Sequence, residues 1–145
     1  MKWDSEAIDK LRQYAAKKES LVSIREEIKS LEIAARRIRS ATSEGTPVAG
    51  GGSKREDMLL SNIVLREELS ISLKLVQDWV KRVDKGLAVL DSEERLVLDR
   101  FYIHPEKCAA DRLAGDLHLD TKTVYKRKDA AIRKFTIAMY GSSEI

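Results

Sequence analysis

Residues 113–124 read LAGDLHLDTKTV, and the placing of the apolar residues in that stretch decides the fold of the C-terminal part. Leu113, Ala114 and Leu117 lie on one helical face, Leu119 follows after a short turn, and Val124 stands five residues further on. Two helices that cross at a steep angle must approach closely, so the small Ala114 marks the crossing. Leu117 and Leu119 fill the turn, and Val124 anchors the second helix while its neighbours face outward. Asp120 is placed to cap that second helix, which the pattern carries from Thr121 to Tyr140, and Gly141 stands where a C-terminal stop belongs. Its inward residues are Val124, Ala131, Ile132 and Phe135, with the aliphatic stem of Lys128. Upstream, Asp91 followed by Glu94 signals a helix start. The helix from Ser92 to Ile103 turns Leu96, Val97, Phe101 and Tyr102 to one side. Pro105 is acceptable in the first turn of the next helix, which the spacing carries to about Leu117 with Ala109, Leu113, Ala114 and Leu117 inward.

Charge separates these helices. Residues 91–120 hold four basic side chains (Arg95, Arg100, Lys107, Arg112) against eight acidic ones. Residues 121–140 hold six (Lys122, Lys126, Arg127, Lys128, Arg133, Lys134) against Asp129 alone. The whole chain carries only +3, so its overall charge hides a local excess on one helix. A polyanion responds to the local field where its phosphates approach. In a helix-turn-helix the second helix enters the DNA major groove, so double-stranded DNA is the expected partner. Lys122 and Lys126, one turn apart, are expected to flank the phosphate backbone. Thr123 and Arg127 are expected to reach base edges, an Arg preferring guanine. Tyr125 serves either as a packed ring or as a phosphate contact. Arg112, Arg133 and Lys134 are second-rank contacts that position without specifying sequence. A solvated basic face on an ordinary helix is the competing reading.

The N-terminal part has a different period. Leu21, Ile24, Ile28, Leu31, Ala35 and Ile38 alternate by three and four, as do Leu69, Leu73, Val76, Val80, Val83, Leu87 and Leu90. That is the signature of helices packed at a coiled-coil angle. Leu11 and Tyr14 continue the first seam, with Lys17 interrupting it. The small, Gly-rich stretch Ala41–Ser53 is expected to be a flexible loop between them. An antiparallel hairpin over residues 3–89 follows, with Ile38 near Leu59 and Tyr14 near Trp79 and Val80. A further apolar set, Leu60, Val64, Ile71, Leu75 and Trp79, lies off the seam. That set either covers the C-terminal unit, stays exposed, or is covered when two hairpins pair into a four-helix bundle, and the last of these, a homodimer, is favoured. The expected fold class is all-α: a coiled-coil-like hairpin (1–89) followed by a three-helix helix-turn-helix domain (90–145).

The 145 residues hold 27 Lys+Arg, 24 Asp+Glu and 6% aromatics. No apolar run approaches the ~18–20 residues of a membrane span, and the opening MKWDSEAIDK has no apolar stretch, so no secretory signal and no membrane association are expected. A cytoplasmic protein is the expectation. One cysteine, Cys108, excludes an internal disulfide framework and reads as a small packed residue. His104 precedes a proline and His118 falls in the turn, so both read as loop or capping residues. Gly50–Lys54 lacks the upstream glycine and the trailing hydroxyl residue of a phosphate-binding loop. Arg36, Arg37 and Arg39 read as a solvated charge run, with a second DNA contact as the alternative. No enzyme activity, metal or cofactor is expected.

The pattern Leu90-x-x-x-Glu94-Arg95-x-Val97-Leu98-x-x-Phe101-Tyr102, then Leu113-Ala114-x-x-Leu117, then Asp120-x-x-Thr123-Val124-Tyr125-x-Arg127-x-x-x-Ala131-Ile132-x-Lys134-Phe135, resembles region 4 of sigma-70-type transcription factors. The long helical N-terminus and Tyr140-Gly141 are similar to small phage and prophage regulators of the ArpU and RinA late-activator type. The resemblance covers about a third of the chain. It implies a DNA-reading domain and a contact with RNA polymerase. Nothing resembles the sigma region that binds the −10 element, and His118 stands where glycine is common. The leading expectation is a phage-type transcriptional regulator. The rivals are a small terminase-like DNA-packaging subunit and a polymerase-binding interaction module.

Overall fold

A computed structural model describes residues 2–44 and 51–145. The described residues form five α-helices, as the patterns above lead one to expect, and a π turn that those patterns do not contain. Helix α1 is Trp3–Glu44, α2 is Gly51–Ala88, α3 is Ser92–Leu98, α4 is Ala109–Leu117 and α5 is Thr121–Tyr140. The loop expected over 41–53 is shorter than its composition suggests, because α1 continues to Glu44 and α2 begins at Gly51. Adding a residue to an existing helix costs far less than starting one. The rest of the expected loop, 45–50, lies outside the described residues.

Packing divides the chain into two compact units: Glu19–Gln77, and Met1–Lys18 together with Asp78–Ile145. The sequence break at 89/90 is where α2 ends, but the base of the hairpin packs with the C-terminal helices.

In the unit Glu19–Gln77 the two helices run antiparallel. Asn62 Nδ2 donates to the Leu31 carbonyl at 2.8 Å, and Arg55 donates to the Ala41 carbonyl at 3.3 Å. Ala35 is buried, and Ile24, Ile28, Leu31, Ile38, Leu59, Leu69, Leu73 and Val76 are half-buried. Asn62 is itself buried and accepts from Arg66 Nε at 2.8 Å. It occupies the seam position between Leu59 and Leu69. A single polar residue there fixes register, because any slip leaves its amide unpaired.

In the other unit, Leu11, Tyr14, Val80 and Val83 are buried. The spacing sets Tyr14 near Trp79 and Val80. Its hydroxyl donates to Asp84, a turn further along, and Lys17 lies over the Trp79 ring at 5.1 Å. The long phenol reaches past its own level to the first acceptor available. Burial and the Asp84 carboxylate raise its pKa to about 12. Gly86 lies close against α5: a Cβ there would lie 2.7 Å from Phe135 Cε2 and 2.9 Å from Met139 Sδ.

The chain ends meet in this unit. Trp3 stacks on Tyr140 with centroids 4.8 Å apart. The buried Asp4 carboxylate accepts from Ser143 Oγ at 2.6 Å and from the Glu144 N–H at 2.8 Å. Burial pushes the Asp4 carboxyl up, but these hydrogen bonds outweigh it and hold the carboxyl below the ordinary range.

Helix α3 opens with the expected capping box. The Glu94 N–H donates to Asp91 Oδ1 at 2.8 Å, and the Asp91 N–H donates to Glu94 Oε1 at 3.1 Å. The helix continues through a π turn, Asp99–Ile103, closed by the His104 N–H on the Asp99 carbonyl at 2.7 Å. Val97 and Leu98 are buried at the end of α3 and Ile103 at the end of the wider turn, while Leu96, Phe101 and Tyr102 are half-buried. Helix α4 begins at Ala109 and not at Pro105. Pro105 holds the preceding His104 out of helical geometry (φ −123°, ψ 74°), and the chain needs Cys108 in the left-handed region (φ 59°) to start again. Cys108 is exposed there, not packed.

Candidate nucleic-acid interface

The α4–turn–α5 segment has the packing that its spacing predicts. Val97, Ala110, Leu113 and Val124 form a buried cluster, with Leu96, Phe101, Ala114, Leu117 and Leu119 packed against it. His118 takes the left-handed position (φ 56°) that glycine often fills, and the Leu119 N–H returns to the Ala114 carbonyl at 2.9 Å. This bond closes the end of α4 and allows the sharp turn. Asp120 Oδ1 accepts from the Thr123 N–H at 2.8 Å and starts α5. Those Thr123 hydrogen bonds, helped by the Lys126 charge, hold the Asp120 carboxyl below its ordinary range.

Helix α5 buries Val124, Ala131, Ile132, Phe135 and Thr136. Lys128 lies along the same side, its amine 5.4 Å from the Phe101 ring centroid and 5.1 Å from that of Tyr125. Tyr125 is half exposed, and its ring packs tilted against Phe101 at 6.0 Å.

The remaining candidates divide into two groups. Lys122, Lys126 and Arg133 are exposed and have no ion pair among the described residues. The others are engaged or partly covered. Arg127 is ion-paired with Glu93, and Lys134 lies 3.0 Å from Glu94. Arg112 pairs with Glu106 at 3.5 Å, and Thr123 is half-buried. Sequence reasoning missed the α3 carboxylates as partners of α5. The signal was the Glu93-Glu94 pair, whose second member was absorbed as a capping residue. Arg36, Arg37 and Arg39 are exposed on α1. His104 Nδ1 lies 2.8 Å from Asp99 Oδ1, at the end of the π turn.

Among the described residues no group of His, Cys, Asp and Glu is arranged to hold a metal ion, and no helix is long and apolar enough to cross a membrane. Compared with protein-family models, curated proteins and solved structures, the chain matches none.

Proposed function

We propose that this chain is a phage-type, sequence-specific DNA-binding regulator of transcription that reads duplex DNA with α5. The observation that carries the reading is the orientation of that helix. Val124, Ala131, Ile132 and Phe135 face inward, so the N-terminal turns after Asp120 leave Lys122 and Lys126 in solvent, one turn apart. In a helix-turn-helix those turns are the ones that meet base edges and phosphates. Thr123, Tyr125 and Arg127 flank them, and Arg112, Arg133 and Lys134 supply outer phosphate contacts. The resemblance to sigma region 4 adds a contact with RNA polymerase, and the hairpin adds pairing of two copies.

Selection from a random duplex pool, followed by sequencing, tests the reading. The intact chain enriches a defined motif, and a Lys122→Glu, Lys126→Glu variant of equal helicity enriches none. Failure of the intact chain to enrich any motif contradicts it.

One observation favours a second reading, an interaction module that binds polymerase or another protein without touching DNA. Arg127 and Lys134 are already neutralised by Glu93 and Glu94. Under that reading the Lys122→Glu, Lys126→Glu variant keeps its biological activity. A packaging subunit, the third possibility, differs in mass: it forms rings, and a regulator of this type forms dimers.

A further inference from the structure

Four apolar side chains of α2 point away from α1. Leu60, Val64, Ile71 and Leu75 are 61%, 43%, 63% and 66% exposed. At about 100° per residue they fall within about 60° of one another and roughly opposite Asn62, which faces α1, in a stripe about 22 Å long. Met58, Ile63 and Leu65 are also exposed but lie off this line.

The spacing within the stripe is four, seven and four residues. It reads the same in both directions, so an antiparallel copy of α2 presents the same stripe at the same heights. A two-fold interface requires that self-match, because each patch must fit its own rotated image. An unrelated partner makes no such demand. On the far face of α1, Val22 and Ile33 are exposed but stand eleven residues apart, with Glu26, Lys29 and Ser30 between them.

We infer that a second copy of this chain covers the stripe, α2 against antiparallel α2, with the two-fold axis passing between Glu67 and Glu68. Leu60 then meets Leu75 of the partner subunit, and Val64 meets Ile71 of the partner subunit. The stripe lies opposite the α1 seam, so each α1 is on the outside. The order is α1–α2–α2–α1 and not a square four-helix bundle. Rotation about this axis also sets Glu67 across from Glu67 of the partner subunit, and Glu68 across from Glu68 of the partner subunit. These carboxylates flank the apolar line and weaken the pairing by like-charge repulsion.

The inference deepens the two-copy part of the proposed regulator and rests on that part alone. Its test contains no DNA, so its failure leaves the DNA reading standing, and loss of DNA binding leaves this one standing. Val64→Cys and Ile71→Cys are made separately in the full chain carrying Cys108→Ser, and helicity is checked by circular dichroism. The two variants are oxidised alone and mixed. A disulfide needs Cα atoms within about 7 Å, so the mixture cross-links at least about tenfold faster than either variant alone. Sedimentation equilibrium of the unaltered chain gives a dimer, Leu60→Glu with Leu75→Glu gives a monomer, and Glu67→Gln with Glu68→Gln tightens the dimer several-fold. A monomeric unaltered chain overturns the inference, as does either cysteine variant cross-linking alone as fast as the mixture. So does a dimer that Glu67→Gln with Glu68→Gln leaves unchanged.

Discussion

Arg127 of α5 is ion-paired with Glu93 of α3, both side chains remaining partly in solvent at 46% and 36% exposure. The arginine proposed above to read a base is therefore held by a carboxylate, which under that proposal would have to release it when a phosphate or base edge arrives. A pair this exposed is worth under about 1 kcal/mol. Removing it lets Arg127 respond to DNA without first breaking a bond. Glu93→Gln is expected to raise DNA affinity by about two- to fivefold, given that 1.4 kcal/mol is tenfold, with a change in folding stability below about 1 kcal/mol. Fluorescence anisotropy and urea denaturation of the same variant measure the two effects.

Gly86 of α2 lies close against Phe135 and Met139 of α5. An added Cβ meets Phe135 and Met139 below van der Waals distance. Alanine is favoured over glycine in a helix by about 1 kcal/mol, yet Gly86→Ala is expected to destabilise by about 1–3 kcal/mol through overpacking. Phe135→Leu in the same chain makes room, so the double variant loses less than the sum of the single losses. Urea midpoints of the four proteins complete this cycle.

Acid weakens the fold through its caps and its clasp. Asp91 is held low by the Glu94 N–H, Asp120 by Thr123, and Asp4 by Ser143 and Glu144 against the opposing effect of burial. Each carboxyl therefore has a lower pKa folded than unfolded. Its contribution is present above the unfolded value of about 4 and is lost as pH falls through the lower folded value. Thermal melts at pH 7, 5 and 3 are expected to show little change between the first two and a clear drop at the third. Asp120→Asn makes that drop shallower, because one of the linked groups no longer titrates.

The Tyr14–Asp84 bond sets the opposite dependence. The Tyr14 phenol is raised to about 12 by burial and by Asp84, above its unfolded value near 10. The bond contributes fully below pH 10 and is lost as pH rises through 12. Ultraviolet titration is expected to show a phenol ionising near 12, and Tyr14→Phe removes that step at a cost of about 1 kcal/mol at neutral pH. Persistence of the step in Tyr14→Phe contradicts the assignment.

Much of this was legible in the residues. The three-four alternation marks both seams because only residues on one helical face can be buried, and the Asp91–Glu94 and Asp120–Thr123 caps follow from local chemistry within four residues. Asn62 was not legible, since a polar side chain in an apolar series looks like a gap until its partner carbonyl at Leu31 is in place. The π turn at Asp99–Ile103 shifts the buried face by one extra residue, which no 3.6-residue template anticipates. The Asp4–Ser143 clasp joins residues 139 positions apart, and no local pattern links them. The Glu93–Arg127 pair joins residues 34 positions apart, and its one trace in the sequence is the adjacent carboxylates Glu93 and Glu94, the second of which reads as a cap.

The most direct test of the account is the salt dependence of binding to a short duplex by the intact chain. A helix that lays Lys122 and Lys126 against phosphates gives a log–log slope with salt near −0.9 per neutralised phosphate, and replacing each lysine with alanine flattens it by about one. A flat salt profile, or a slope that the alanine variants leave unchanged, contradicts the assignment of α5 as the DNA-reading helix.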